Sequence, residues 1–277
     1  MSSALRVILG VSILGSLTVG CDGGTEDPDG NGGTGGLVAA SGTAGTGNTG
    51  NTGGSSGGTG GTGMLAEGVP LPIMDGWVDA SMAIGIQGAI FAYGDPTSKM
   101  GWTDNTLTGT QACLAGTAAK VDMTAPACAN KMFTPPATDC YGEFWGAAIG
   151  LNLNQPIDPV SMEGVDPPLT FDAGAKSITG FAFEITGTTV PTSLRFKVEN
   201  ASGEFCNIGK TKAVMKGPNS FKFSELYEEC WDPAAAMNPT AEAGKSNLIK
   251  IAWQVVTNTT SAVPFDYCVS NVRALTN

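Results

Sequence analysis

Between Leu248 and Thr257 the chain reads LIKIAWQVVT. Its alternation puts Ile249, Ile251, Trp253 and Val255 on one face of a strand and Lys250, Ala252, Gln254 and Val256 on the other. The first set reads as a core face. Comparable period-two runs, rich in β-branched and aromatic residues, occupy 83–95, 145–154, 177–187, 192–200 and 265–275. Leu194, Phe196 and Val198 turn inward, leaving Arg195, Lys197 and Glu199 outside. Phe181, Phe183 and Ile185 turn inward, leaving Ala182 and Glu184, while Ile149, Leu151 and Leu153 leave Asn152 and Asn154. On one shared sheet these strands would expose amides, a guanidinium, an amine and carboxylates together.

Gly, Pro, Asn and Asp cluster between the runs, as turns require. Only 232–244 (DPAAAMNPTAEAG) suggests helix, and its prolines limit it to a turn or two. Many strands in the roughly 210 residues after position 63 predict an all-β fold: a two-sheet β-sandwich of jelly-roll type, forming one domain over 64–277.

The first 63 residues have a different texture. Residues 1–21 (MSSALRVILGVSILGSLTVGC) carry one basic residue, Arg6, and then an uncharged run too short to span a bilayer, which reads as an export signal. Residues 22–63 contain 18 glycines in 42 positions and no aromatic or basic residue, so they predict a disordered linker. A phosphate-binding loop is excluded because no GxxxxGK[ST] occurs.

LTVGC, at 17–21, resembles the lipobox of bacterial lipoproteins. Gly20 and Cys21 match it, and Thr18 stands where leucine is usual, with Leu17 one place earlier. The resemblance implies lipidation at Cys21, export, and anchoring to the outer membrane or cell surface, since two or more acyl chains hold a protein stably. The cysteine count agrees. Of seven cysteines, setting Cys21 aside leaves Cys113, Cys128, Cys140, Cys206, Cys230 and Cys268, an even set for an oxidising compartment. Fifteen pairings are possible; Cys206 with Cys230 is the candidate here, because both flank strand-like segments joined by one excursion.

The segments from GIQGAIFAYGD and FWGAAIGLNLN through GFAFEITGTTVPTSLRFKVEN to IAWQVVTN and VPFDYCVSNVRAL resemble galactose-binding-like jelly-roll domains, which include several families of carbohydrate-binding modules. The resemblance implies a glycan partner and a structural calcium ion as the one cofactor. Alternation and the resemblance together nominate Tyr93, Trp145, Asn152, Arg195 and Gln254 for the ligand, with Trp102 and Tyr141 as further rings. Sugar hydroxyls, each donor and acceptor, suit amides and charged groups, and a ring suits the apolar face of a pyranose. Trp253 and Trp231 read as core or disulfide-packed. For calcium the candidates are Asp75, Asp79 and Asp266, because the terminal strands of jelly rolls often lie together. No DxDxDG loop is present.

Charge narrows the partners. The region after position 63 has 13 basic and 21 acidic residues, which disfavours nucleic acid, and a monomer is expected. The chain contains no histidine, so Ser-His-Asp, Cys-His and His-zinc chemistry are absent. The remaining enzymatic alternative is a glycoside hydrolase with paired glutamates, for which Glu143 and Glu184 are the candidates. A structural or adhesive surface protein that binds protein partners is the other alternative, and it requires a large exposed apolar patch.

Overall fold

The computed structural model describes residues 67–103, 110–125, 144–161, 163–209, 212–231 and 234–277. The expectations for 1–21 with Cys21, for the linker 22–63, and for Cys128, Cys140, Tyr141 and Glu143 lie outside the described residues.

Fourteen strands make two antiparallel sheets among the described residues. The larger holds β12 (Leu226–Glu228), β10 (Gly203–Asn207), β9 (Leu194–Asn200), β13 (Leu248–Val255), β7 (Ala147–Asn152), β4 (Gly88–Gly94), β3 (Trp77–Val78) and β2 (Ile73–Met74), in that order. The smaller runs β11 (Gly217–Lys222), β8 (Ile178–Thr189), β14 (Val263–Thr276), β6 (Gln111–Ala118) and β5 (Lys99–Trp102), with β1 (Val69–Pro70) also paired to β14. Packed face to face, they form a β-sandwich of jelly-roll type. Neighbours in sheet order are mostly distant in sequence, as in β9–β13–β7, so the core depends on long-range pairing.

The inward residues expected from alternation fill the space between the sheets. Phe183 of β8 meets Phe196 of β9 at 4.9 Å and Trp253 of β13 at 5.3 Å between ring centroids, and Phe196 meets Phe221 of β11 at 5.6 Å. Such pairs contribute about 0.5–1.5 kcal/mol each beyond their burial. The buried Tyr267 hydroxyl of β14 donates to the Trp253 carbonyl of β13 at 2.7 Å, joining the two sheets by a polar contact. Trp253 is therefore core, as expected.

Three details differ from the alternation. The β9–β13 register shifts between Leu248 and Lys250, so Leu248 takes the core position and Ile249 is half-buried. One extra residue in a strand reverses the parity before it. β8 belongs to the smaller sheet, so Glu184 does not share a face with Arg195 and Asn152. Trp231 is not core: it is 47 % exposed.

Two disulfides stand among the described residues. Cys206–Cys230 is the pair expected, and Cys113–Cys268 joins directly opposed residues of β6 and β14. The 232–244 region holds a 3-10 turn at Ala235–Met237 and a one-turn helix at Ala241–Gly244. No helix among the described residues is long and apolar enough to cross a membrane.

Candidate functional site

Paired residues of neighbouring strands share a face, so register alone assembles the outer face of the larger sheet. One row across it reads Tyr93, Ala148, Gln254, Arg195; the next reads Phe91, Gly150, Ala252, Lys197, Cys206, Tyr227. A third contains Asn152, Lys250, Glu199 and Glu204. Tyr93, Asn152, Arg195 and Gln254, nominated from sequence, come together here, and Trp145 precedes β7 beside them.

The aromatic side of this face is a run of three rings. Phe91 lies 5.4 Å from Tyr93, and Tyr93 lies 5.4 Å from Trp145. The Phe91 ring packs over Gly150, where an added Cβ would come within 2.7 Å of the ring. Trp145 is placed by its backbone rather than by its ring. Gln254 Nε2 donates to the Trp145 carbonyl at 2.8 Å, and Thr257 Oγ1 donates to the Phe144 carbonyl. The buried Asp95 carboxylate accepts from Gly146 N, from Thr97 N and Oγ1, and from Ser98 N, tying the end of β4 to the start of β7. Gly146 has φ 103, and an added Cβ would stand 1.9 Å from the Val255 carbonyl oxygen, so only glycine allows the turn that presents Trp145.

The polar side is an ion-pair network. Lys197 Nζ lies 2.8 Å from Glu199 Oε1 and 3.0 Å from Glu204 Oε1, and Lys250 Nζ lies 2.8 Å from Glu199 Oε2. Both ammonium groups also sit over the Tyr93 ring, Lys250 at 4.6 Å and Lys197 at 5.8 Å from its centroid. Tyr93 Oη donates to Glu199 Oε1 at 3.3 Å. Burial tends to raise the Glu199 carboxyl, but Lys197 and Lys250 outweigh it and hold it below the usual glutamate range. Burial first, then the Glu199 charge, pushes the Tyr93 phenol well above its ordinary value. The network is closed on itself and already oriented.

Not every nominated side chain is presented at the surface. Asn152 is buried and its amide donates to Gln155 Oε1 at 2.9 Å; Gln254 is buried and its amide serves Trp145. Both support the face more than they present it. Sequence reasoning did not nominate Phe91, Glu204 or Asp95, and turned Lys250 outward without nominating it. Phe91 shares parity with Tyr93 in β4, which was the available signal; the Lys250–Glu199 contact depends on strand order and had none.

Elsewhere, Asp79 accepts from Ser81 N and Oγ, Asp75 lies in the β2–β3 turn, and Asp266 of the other sheet accepts from Thr188 Oγ1. These three aspartates do not assemble as a calcium set, and among the described residues no group of three or more acidic or cysteine side chains is placed to hold a metal ion. Glu184 accepts from Asn271 Nδ2 at 2.8 Å on the smaller sheet. The carboxylates that do meet are Glu199 and Glu204, cross-strand partners bridged by Lys197. Two flanking lysines keep Glu199 ionised, the opposite of what a general acid needs.

No family model matches this chain, and no curated protein matches it. Among solved structures it is similar to a family 11 carbohydrate-binding module of the cellulosomal cellulase Lic26A-Cel5E of Clostridium thermocellum, at 11 % identity and a TM-score of 0.36, over 68 % of this chain and 88 % of that one. It is also similar to the Clostridium thermocellum family 11 module in complex with a β-1,3-1,4-mixed-linked tetrasaccharide, at 10 % identity and a TM-score of 0.37, over 74 % and 96 %. At these values the likeness carries no residue from those modules to this chain.

Proposed function

We propose that the outer face of the larger sheet binds a glycan without cleaving it, and that the chain works as a binding protein anchored at the cell surface. The observation that carries this reading is the Phe91–Tyr93–Trp145 run of rings beside a preformed network of hydrogen-bonding charges on one sheet face. Trp145 supplies apolar surface for a pyranose, and the exposed sides of Lys250 and Glu204 supply partners for its hydroxyls. Because these groups are held by strands and by one another, little ordering is left to be done on binding.

Anchoring rests on residues 1–21. Cys21 is the proposed lipidation site, and residues 22–63 are the proposed tether to the outer membrane or cell surface. A Cys21→Ser variant is expected to leave the membrane fraction; retention there would remove this part of the reading.

The test of binding is retention of the full chain on a panel of immobilised polysaccharides, with released reducing sugar assayed in parallel. Saturable retention without released sugar is expected, weakened at least about tenfold by Trp145→Ala with an unchanged circular dichroism spectrum. Retention on nothing in the panel, or retention indifferent to Trp145→Ala, would sink the assignment of this face.

A further inference from the structure

On the outer face of the larger sheet, across from Trp145, stands a feature the sugar face does not yet account for. Cys206 of β10 is the register partner of Lys197, so its side chain lies on the same outer face as the ion-pair network. Its disulfide to Cys230 pins the turn after β12 over the β9–β10 side of that face. Trp231 follows directly and is 47 % exposed. Single exposed apolar residues are ordinary on a protein surface. This one differs because its backbone is anchored: Cys230 is buried and crosslinked, and Glu228, two positions earlier, donates from its amide to Pro239 O and accepts from Asn238 Nδ2.

Trp231 lines a cleft of about 390 Å³ with Thr192, Ser193, Arg195, Cys230 and Val256. That volume falls within the range of ligand sites. The walls combine one large ring, a guanidinium and two hydroxyl-bearing side chains, one of which, Ser193, donates to the Val256 carbonyl and keeps its oxygen as an acceptor. A second cleft, of about 330 Å³ around Lys120, Asp122 and Thr124, has no ring. Arg195 belongs to both places, as register partner of Gln254 and as a wall of the Trp231 cleft. Arg195 thus stands between the row that holds Gln254 and the Trp231 cleft. From β4, which carries Tyr93, to β10, which carries Cys206, there are four interstrand steps, or roughly 19 Å at the usual strand spacing. That is longer than one pyranose ring.

We propose that the Trp231 cleft is a second subsite of the same face and takes the far part of an extended oligosaccharide whose near part lies on Trp145. The inference rests on the sugar-face reading and adds the ligand class to it: a chain of several sugars running across the strands, not a single sugar. Trp231 binds by apolar stacking, Arg195 and Ser193 by hydrogen bonds, and the disulfide keeps the ring in place.

The test is calorimetric titration of the full chain with linear gluco-, xylo- and manno-oligosaccharides of two to six residues. Affinity is expected to rise with length until both rings are spanned. Trp231→Ala should lower affinity for the longest binding oligosaccharide about tenfold and leave the disaccharide unchanged, whereas Trp145→Ala should weaken both. Trp231→Phe should recover most of the loss. If Trp145→Ala weakens binding but Trp231→Ala does not change the length dependence, the second subsite is wrong and the sugar face stands. If no oligosaccharide binds to the unaltered chain, both fall.

Discussion

The sandwich has two outer faces, and they are built differently. On the smaller sheet, register places Ala182, Ser220, Ser270, Gln111, Ala115 and Gly101 outward with Asp266, Arg273 and the Cys113–Cys268 disulfide; Glu184 meets the Asn271 amide, Asp266 the Thr188 hydroxyl and Arg273 the Gly68 carbonyl. On the larger sheet the outward residues include three rings in contact and four charged groups that pair with one another, one of them Lys197 at 3 % exposure. Alternation describes both faces equally well as polar. The difference lies in what their side chains do to each other. On one, each of these charged groups meets a neutral partner; the other is an assembled set of mutually paired charges that has already undergone its desolvation and ordering.

This contrast can be broken most strongly at Glu199. Glu199→Ala leaves Lys250 without its carboxylate and the almost wholly buried Lys197 with Glu204 alone, and should cost about 3 kcal/mol in urea denaturation, as removal of one partner of a buried pair does. A loss no larger than that of a surface residue would place the network in free solvent. Next is Asp95→Ala, which leaves the buried Gly146 amide and its neighbours without an acceptor. It should cost about 2 kcal/mol and should also weaken glycan retention by misplacing Trp145. Stability retained together with lost retention would separate positioning from folding.

A smaller effect is expected from pH. The folded Glu199 carboxyl lies below its ordinary value of 4.5, so its contribution is complete above that value and is lost as pH falls through the depressed one. Tyr93 behaves in the opposite sense. Its raised phenol contributes fully below its ordinary value of 10.0, and that contribution is lost as pH rises beyond it. Denaturation midpoints measured from pH 3 to 11 should therefore fall at both ends, and Glu199→Gln should flatten the acid limb. The smallest change is reserved for the other sheet: Glu184→Ala should stay within about 0.5 kcal/mol and leave retention untouched. A Glu184 variant that abolished retention would exchange the roles of the two faces.

Much of the fold was legible in the sequence, because alternation reports which side of a strand is buried. The six period-two runs all contain strands, and their inward Phe, Trp and Ile residues form the core. β6, with the sequence QACLAGTA, escaped notice because its small residues carry little strand signal, although Ala112 and Leu114 are fully buried. The face of the site was legible only in part. Alternation turned Arg195, Lys197 and Glu199 outward, but outward did not mean exposed. Nothing in a one-dimensional pattern says that Lys250 will reach Glu199, that Glu184 will belong to the other sheet, or that Trp231 will stand beside Arg195. Those facts depend on strand order and on one crosslink.

Gly150 has a consequence of a different kind. It is the floor on which the Phe91 ring lies, and a single methyl there would lift that ring and, through it, Tyr93 and Trp145. On the proposed reading, preference among glycans on this face can therefore drift by a change at a residue that never touches one. In a lineage, the shape of the surface can be altered from beneath while every contacting side chain is inherited intact.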